Sequence, residues 1–562
     1  MHLYGMNKKN MGWIMLIISL FTLADKSAAN TDLLNQKQNQ AKKNWVIIAP
    51  TVMVKQGKLI GINESGVDEF LGVRYAFPPI GAMRWRPPHP VLPSIKQVKV
   101  TQFGSNCPQT VNVFGSSSLS EDCLFLNIYT PSNASNDASS KSLPVMVWIH
   151  GGGLRSGSGA SYNPTDMVKQ GKIIVITINY RLGILGFLAH PAFNHEGHDI
   201  ANYGIMDQQL ALQWVKDNIA AFGGNPKNIT IFGESGGGTA IYANLASPLA
   251  AKLFQKAIIQ SGFLSDISLK TAEELGIAFA KQVGCNKGSS SETASCLRGL
   301  PTTTILSSQK KQLVHGVVII DGKTLPKSLM SAFGQGKFNQ VPIINGTTHD
   351  EGNLLTAVLF DLAGKKIKTN NYQTALVTIA NWQAEVIPGF AYKPSVVEAI
   401  MKEYPLNNYH SPGLAASAVI TDSTLACPSY EANLLLAHWT PTWVYEFSDK
   451  AAPEIVAAPI SYPYGASHFS EMAYLFDMSS LTRPGSTSLS ITQRYLSRQM
   501  IQYWTSFARN GDPNSLSSVV RWPAFKNSKS SSILQLNQPD SVVEKNFRAL
   551  HKCDFWKKLQ QN

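Results

Sequence analysis

Short apolar runs alternate with helix-patterned segments along the middle of the chain. Three of these runs are short and apolar enough to predict buried strands: Val145–Ile149, Ile173–Ile178 and Ile229–Phe232. Apolar residues recur at helical spacing over Asp207–Ala221, and a second helix is predicted after Gly236. Strands that alternate with helices predict an α/β fold, in which a large, mostly parallel central sheet carries helices on both faces.

The same pattern continues into the C-terminal half of the chain. Three further strands are predicted there, at Leu253–Ile259, Val341–Asn345 and Trp443–Phe447. Two polar stretches, Pro131–Ser142 and Cys285–Thr303, are predicted to be loops inserted in the fold. Neither has the character of a domain boundary. Residues 46–562 are therefore predicted to form a single domain, after a polar and flexible segment at residues 30–45.

The first 29 residues have the pattern of a cleavable secretory signal. Lys8 and Lys9 precede an apolar stretch at Trp13–Leu23, and small residues follow at Ser27–Ala29. A membrane-spanning helix needs about 20 apolar residues, so this shorter stretch predicts a signal peptide at residues 1–29. An uncleaved anchor is the alternative. The sequence thus predicts a secreted or periplasmic protein without stable membrane insertion.

Composition and charge narrow the choice of partners. Of the 562 residues, 44% are hydrophobic and only 15% are charged, which is enough apolar material for a large core. The net charge of +13 could favour an anionic partner. No long basic run and no nucleic-acid motif accompanies this charge, so we expect no nucleic-acid binding.

The cysteine content supports an oxidising compartment. An even number of cysteines behind a signal peptide predicts disulfides. The sequence contains no Cys-x-x-Cys pair, so we expect neither a zinc site nor a thioredoxin-like redox site. The spacing alone does not choose among the possible pairings of Cys107, Cys123, Cys285, Cys296, Cys427 and Cys553.

A candidate nucleophile lies between a predicted strand and a predicted helix. Residues 233–237 read Gly-Glu-Ser-Gly-Gly, which matches the G-x-S-x-G pattern. A sharp strand-to-helix turn would hold Ser235 in a strained conformation close to a helix N-terminus, where backbone N–H groups favour negative charge. Ser235 is therefore the predicted nucleophile. A glycine-rich turn with a capping serine is the alternative.

A second glycine-rich segment lies upstream of Ser235. Residues 150–153 read His-Gly-Gly-Gly and follow the strand that ends at Ile149 directly. Consecutive glycines can aim several backbone N–H groups at one point, as the oxyanion hole of an esterase requires. Gly152, Gly153 and Gly236 are the predicted donors, and His150 is predicted to organise the loop. A merely flexible loop is the alternative.

The remaining members of a catalytic triad should follow Ser235 in the order acid, then histidine. Asp350 and Glu351 come just after a predicted strand, and local reasoning leaves both open as the acid. His468 is the favoured histidine, because it lies in a loop with small neighbours after a late strand. The other downstream histidines are predicted to be ordinary core or surface residues: His410, His438 and His551.

Several longer motifs, in the same order, resemble those of the type-B carboxylesterases, the α/β-hydrolases that include cholinesterases and many bacterial esterases. The resemblance extends from about residue 49 to residue 557. It rests on residues 70–76 (FLGVRYA), 78–81 (PPIG), 121–127 (EDCLFLN), 232–238 (FGESGGG), 350–352 (DEG) and 468–471 (HFSE). One departure is Gly238, where many members have alanine.

The resemblance implies an α/β-hydrolase fold and serine-dependent hydrolysis of small-molecule carboxylic esters through an acyl-enzyme. It implies that the triad is Ser235, Glu351 and His468, and that no metal or organic cofactor is needed. It places Ser261 close to the triad. It also implies three disulfides and two buried ion pairs: Cys107–Cys123, Cys285–Cys296, Cys427–Cys553, Arg84–Glu121 and Arg181–Asp207.

The resemblance also bears on substrate choice. In cholinesterases the first disulfide loop is longer and carries a tryptophan that binds quaternary ammonium, whereas residues 108–122 here contain none. We therefore expect little preference for choline esters. Two alternative functions are a non-catalytic adhesion protein of the cholinesterase-like type and a lipase that acts on lipid surfaces.

Overall fold

The computed structural model describes residues 49–110, 116–132, 134, 143–309, 317–386, 394–455, 460–479, 488–514, 520–526 and 531–561. The predicted signal peptide and the predicted flexible segment at residues 30–45 lie outside these residues. Most of the predicted loop at residues 131–142 also lies outside them. Pro50–Asn562 forms one compact unit.

A mixed sheet of 11 strands is the centre of the described fold, in the order β16-β15-β14-β13-β10-β9-β7-β8-β6-β4-β3. The strands are β1 Thr51–Val54, β2 Gly57–Ile60, β3 Ile62–Glu64, β4 Val67–Arg74, β5 Gln97–Lys99, β6 Phe125–Pro131, β7 Leu143–Ile149, β8 Ile174–Ile178, β9 Gly224–Glu234, β10 Lys256–Gln260, β11 Asp266–Ser268, β12 Val318–Ile320, β13 Ile343–Thr348, β14 Thr442–Phe447, β15 Ile533–Leu536 and β16 Val542–Glu544. Two small sheets, β1-β2-β5 and β11-β12, accompany it.

The centre of the large sheet is parallel, as the apolar runs predict. Strands β8, β7, β9, β10, β13, β14 and β15 pair in parallel, and antiparallel strands complete both edges. The register places Val147 beside Ile176 on one side and Ile231 on the other. Strands buried on both faces need no polar alternation, which explains their continuous apolar runs.

The helices are Thr165–Gly171, Gly183–Phe187, Tyr203–Asn218, Gly236–Ala246, Leu269–Gln282, Ser290–Gly299, Thr302–Gln309, Leu329–Gly334, Gly352–Thr356, Tyr372–Val386, Pro394–Glu403, Pro412–Ile420, Cys427–Trp439, Ile491–Asn510, Phe547–Leu550 and Cys553–Gln561. Ala357–Asp361 and Thr421–Ala426 are π-helical turns. No helix among the described residues is both long enough and apolar enough to cross a membrane.

Each face of the sheet packs into its own apolar cluster. Side chains alternate along a strand, so Val147 of β7 enters one cluster and its neighbour Trp148 enters the other. Ile241 of helix Gly236–Ala246 packs in the first cluster, whereas Met500 and Trp504 of helix Ile491–Asn510 pack in the second. Helices therefore cover both faces, as predicted.

Two predictions of local structure are wrong at their boundaries or in kind. The predicted strand at 253–259 begins only at Lys256. The segment 285–303 is not a loop, because it contains helix Ser290–Gly299. Ser289 and Glu292 form a reciprocal capping box at its N-terminus, and Leu297 is buried. The capping signal outweighs the polar composition of this segment.

Long-range cross-links join parts of the chain that are distant in sequence. The three disulfides implied by the family resemblance all form: Cys107–Cys123, Cys285–Cys296 and Cys427–Cys553. The implied ion pairs form as well. Arg181 Nη2 lies 2.7 Å from Asp207 Oδ1, and Arg84 Nε donates to Glu121 Oε2 at 2.8 Å.

Candidate active site

A sharp turn at the end of β9 presents Ser235. Strand β9 ends at Glu234 and the next helix begins at Gly236, so one residue makes the whole turn. Ser235 adopts φ 56° and ψ −121°, a strained conformation for a residue with a side chain. A Cβ at Gly237 would lie 2.0 Å from the Ile149 carbonyl oxygen, so this position requires glycine. The strand-turn-helix context predicted for Ser235 is confirmed.

Two hydrogen bonds connect Ser235 to an acid through a histidine. His468 Nε2 lies 2.9 Å from Ser235 Oγ, and His468 Nδ1 lies 2.5 Å from Glu351 Oε2. Glu351 is fully buried, His468 is 3% exposed and Ser235 is 8% exposed. The other oxygen of Glu351 accepts the Thr348 N–H at 2.9 Å. The structure therefore brings together the three residues expected to form a triad, in the chain order that the sequence predicts.

Asp350, the competing acid, points elsewhere. Its Oδ2 accepts the Ala466 N–H at 2.9 Å, which ties the two loops that carry Glu351 and His468. A Cβ at Gly465 would lie 2.5 Å from the same oxygen, so the loops approach closely here. Asp350 is thus placed to support the loop and has no contact with the imidazole of His468.

The predicted oxyanion loop packs directly against the turn at Ser235. A Cβ on Gly151 would lie 3.2 Å from Ser235 Cβ, and one on Gly236 would lie 2.8 Å from the Gly153 nitrogen. Gly152 and Gly153 have φ values of 95° and 62°, which glycine adopts at low cost. The Gly236 N–H is the first of its helix and has no partner within it. The predicted donors Gly152, Gly153 and Gly236 therefore lie around the nucleophile.

His150 lies in this loop, and its contacts suit a structural role better than that of a base. Its ring stacks on Tyr180 at 4.5 Å between centroids, and the Tyr180 hydroxyl donates to the His150 carbonyl at 2.8 Å. Burial lowers the pKa of His150 to about 4, against a smaller opposing effect of its hydrogen bond to Gly151. His150 is therefore neutral near pH 7 and holds the backbone of the loop.

Two further carboxyl groups were missed by sequence reasoning. Glu234 Oε1 lies 3.2 Å from His468 Nε2, and Glu471 Oε1 accepts from Gln260 Nε2 at 3.2 Å. Both glutamates are buried. Their signal was present, since each lies inside a motif that carries the family resemblance, directly before Ser235 and three residues after His468.

Burial and neighbouring charges shift the pKa values of Glu234, Glu471 and His468. Burial raises the pKa of Glu234 well above its ordinary range, and it raises the pKa of Glu471 to about 7 with help from the Glu351 charge. Burial lowers the pKa of His468, but Glu234 and Glu351 outweigh burial and raise the value to about 9. The acidic surroundings thus stabilise the imidazolium form of His468.

Ser261 lies at the end of β10, beside this group. Its N–H donates to the Gly346 carbonyl at 2.8 Å, and it is fully buried. The preceding residue, Gln260, accepts the Ser235 N–H at its carbonyl oxygen at 2.9 Å and accepts the Trp504 Nε1–H at its side chain at 3.1 Å. The end of β10 therefore holds the Ser235 turn in place through the backbone of Gln260.

Comparison with known proteins agrees with this geometry. The model of the carboxylesterase family matches residues 48–556. Para-nitrobenzyl esterase of Bacillus subtilis (strain 168) is 33% identical over 84% of this chain and 92% of its own length. Human cocaine esterase is 33% identical over 89% of each chain, and pyrethroid hydrolase Ces2e of Rattus norvegicus is 31% identical over 97% of this chain and 94% of its own. The chain therefore belongs to the carboxylesterase family, and it is a carboxylic ester hydrolase.

Proposed function

We propose that this protein hydrolyses small-molecule carboxylic esters through an acyl-enzyme, with Ser235 as nucleophile, His468 as general base and Glu351 as its orienting acid. The observation that supports this most directly is the pair of hydrogen bonds through His468, at 2.9 Å to Ser235 and 2.5 Å to Glu351. A nucleophile that contacts a base, and a base that contacts a third group, is the arrangement that acyl transfer requires.

The first half of the reaction acylates Ser235. As Ser235 Oγ bonds to the ester carbonyl carbon, its proton passes to His468 Nε2. The carbonyl oxygen becomes an oxyanion, which the N–H groups of Gly152, Gly153 and Gly236 would stabilise. His468 then gives the proton to the alkoxide oxygen, the carbon–oxygen bond breaks and the alcohol leaves.

The second half restores the enzyme. Water attacks the acyl-enzyme carbonyl as His468 takes one of its protons, and the collapse of the second tetrahedral intermediate returns that proton to Ser235. Glu351 stabilises the imidazolium at both stages and keeps Nε2 directed at the reacting oxygen. Each step uses only side chains, backbone groups and water.

We also propose that residues 46–562 act as one catalytic domain of an exported protein. The proposed triad draws on the ends of β9 and β13 and on the segment after β14, which are all strands of one sheet. Three disulfides are typical of proteins that fold in an oxidising compartment. Export would release residues 1–29, and N-terminal sequencing of the protein from its host would then begin near Asn30.

Replacement of the nucleophile tests the mechanism. Ser235→Ala should lower kcat by about 10⁴ or more while the protein still unfolds at the wild-type temperature. The variant should also fail to react with a fluorophosphonate probe, whereas Ser117→Ala, at an exposed serine, should react normally. Near wild-type turnover by purified Ser235→Ala would exclude Ser235 as the nucleophile.

A further inference from the structure

Two histidines and a glutamate, none of which takes part in the Ser235–His468–Glu351 hydrogen bonds, meet at the ends of β13 and β14. His349 follows β13, Glu446 lies in β14, and His551 follows helix Phe547–Leu550 near the C-terminus. One nitrogen from each histidine and one oxygen from Glu446 all lie within 4.8 Å of one another. Residues separated by about 200 positions in the sequence are thus brought to one point.

The two histidine nitrogens both lie close to one oxygen of the Glu446 carboxylate. His551 Nε2 lies 2.7 Å from Glu446 Oε1, and His349 Nδ1 lies 3.2 Å from the same oxygen. His349 Nδ1 is buried, and at this distance from Glu446 it makes no hydrogen bond among the described residues. Glu446 is fully buried, whereas the His349 side chain is 26% exposed. One nitrogen of the group is therefore buried beside a carboxylate oxygen without a hydrogen bond among the described residues.

Neighbouring polar groups hold two of the three residues in place. Asp422 Oδ1 accepts from His551 Nδ1–H at 2.6 Å, while its other oxygen accepts the Tyr404 hydroxyl at 2.8 Å. Gln535 Nε2 donates to Glu446 Oε2 at 3.2 Å. A carboxylate that fixes the far nitrogen of a histidine is the usual support for a metal ligand, since it orients the ring and raises its basicity.

The group borders an open cavity on the side of His349, whereas Glu446 and His551 are buried behind it. His349 and Gln535 line an open cavity of about 490 Å³, together with Ser448, Asp449 and Gln538. The space admits a hydrated ion and leaves room for water as a fourth ligand, which a three-residue site requires. Entry and coordination are therefore both compatible with the described surroundings.

We propose that His349, Glu446 and His551 bind one divalent transition-metal ion, best matched by zinc, at a site separate from the Ser235–His468–Glu351 arrangement. Two imidazole nitrogens and one carboxylate oxygen form a donor set that suits zinc and not calcium or magnesium, which prefer oxygen ligands. The ion takes the place of the proton shared by His551 Nε2 and Glu446 Oε1, and that proton is released to solvent.

Metal–ligand bonds of about 2.0–2.2 Å place tetrahedral donor atoms about 3.3 Å apart. The observed separations of 2.7 Å and 3.2 Å lie close to this value. His349, which is partly exposed, can supply the remaining adjustment. Because the ligands come from the residue after β13, from β14 and from the C-terminal segment, a bound ion would stabilise the folded chain over the unfolded one.

The test uses the full mature protein, treated with a chelator and then titrated with zinc chloride alone in a calorimeter. We expect one zinc per chain at micromolar protein concentration and a higher Tm with zinc than without it. His349→Ala should weaken zinc binding by at least about tenfold, as loss of even a supporting residue does, and should abolish the rise in Tm. His195→Ala, at an exposed histidine elsewhere, should bind zinc like the wild type.

Two further measurements keep the outcome clear. Cobalt substituted for zinc should give the visible absorption of a tetrahedral site in the wild type and not in His349→Ala. Normal reaction of His349→Ala with a fluorophosphonate would show that the variant is folded, and it would separate this proposal from the catalytic one. Absence of stoichiometric zinc binding by the wild type would overturn the proposal, as would unchanged zinc affinity in His349→Ala or an equal loss in His195→Ala.

Discussion

The adjacent acids Asp350 and Glu351 offer a sharp test of the proposed mechanism. Local sequence reasoning left both open, whereas the structure directs only Glu351 at His468, with Nδ1 and Oε2 separated by 2.5 Å. The perturbation is Glu351→Gln, which removes the charge and retains the shape. Asp350→Asn is the matched control, because it removes a neighbouring carboxylate from the same turn.

The expected magnitude follows from the two hydrogen bonds of Glu351. Its Oε1 accepts the Thr348 N–H at 2.9 Å, so a glutamine there must turn its carbonyl oxygen to Thr348 and its NH₂ to His468. Nδ1 would then have to accept, and the proton would move to Nε2, which could no longer take one from Ser235. Inversion of the tautomer in this way costs about 10⁴ in kcat, or about 5.4 kcal/mol.

The control should lose much less. Asp350 accepts one backbone N–H, from Ala466 at 2.9 Å, and the carbonyl oxygen of an asparagine can accept the same bond. Because the bond is kept, only part of the about 1.5–3 kcal/mol of a hydrogen bond to a charged group should be lost, and kcat/KM should fall by no more than about tenfold.

Steady-state hydrolysis of an uncharged aryl acetate measures both variants, and thermal unfolding checks that each is folded. The reasoning is refuted if Glu351→Gln keeps more than about a tenth of the wild-type kcat, a loss below about 1.4 kcal/mol. It is equally refuted if folded Asp350→Asn loses as much activity as Glu351→Gln.

Three further predictions concern pH, stability and substrate. Glu234 Oε1 lies 3.2 Å from His468 Nε2, and the ionised form of Glu234 raises the pKa of His468. Glu234→Gln removes this charge, so it should move the acidic limb of the kcat/KM profile to lower pH, and an unmoved limb would contradict that coupling. The disulfide Cys427–Cys553 spans 126 residues, so its removal should lower the free energy of unfolding by about 5 kcal/mol. Removal of Cys285–Cys296, which spans 11 residues, should lower it by about 3 kcal/mol, and denaturant unfolding of the two variants measures the difference. Because the loop at residues 107–123 contains no tryptophan, acetylcholine and its uncharged dimethylbutyl analogue should have specificity constants within about tenfold, and a larger preference for the charged ester would reveal a cation site elsewhere.

Local sequence signals predicted the elements that position the nucleophile. The apolar runs of β7, β8 and β9 and the glycines around Ser235 lie in contiguous stretches, and each stretch contains its own physical reason. A buried parallel strand needs an apolar run, and a sharp turn under a helix needs residues without a Cβ. The turn at Ser235 and the glycine loop at residues 150–153 were therefore predictable without knowledge of the rest of the chain.

Polar composition alone was a poor guide at the segment 285–303. Its serines and threonines favoured a loop, yet Ser289 caps a helix and Glu292 completes the capping box. The sequence contained this signal, which is four residues long, and composition averaged over a longer window concealed it. The edge strands also escaped prediction, since a strand such as β16 is exposed on much of its length and lacks an apolar run.

The sequence by itself thus determined which segments form the buried strands, the turn at Ser235 and the glycine loop beside it, because the signal for each lies in one contiguous stretch of residues. Local patterns left Asp350 and Glu351 open and the family resemblance implied Glu351, but only the tertiary structure shows that Glu351 contacts His468 and that Glu234 is a second carboxyl group beside the imidazole. These outcomes depend on the register between strands and on the direction in which two loops leave the sheet. The grouping of His349, Glu446 and His551 has the same origin, since the pairing of β13 with β14 and the return of the C-terminal segment bring together residues that no local pattern connects.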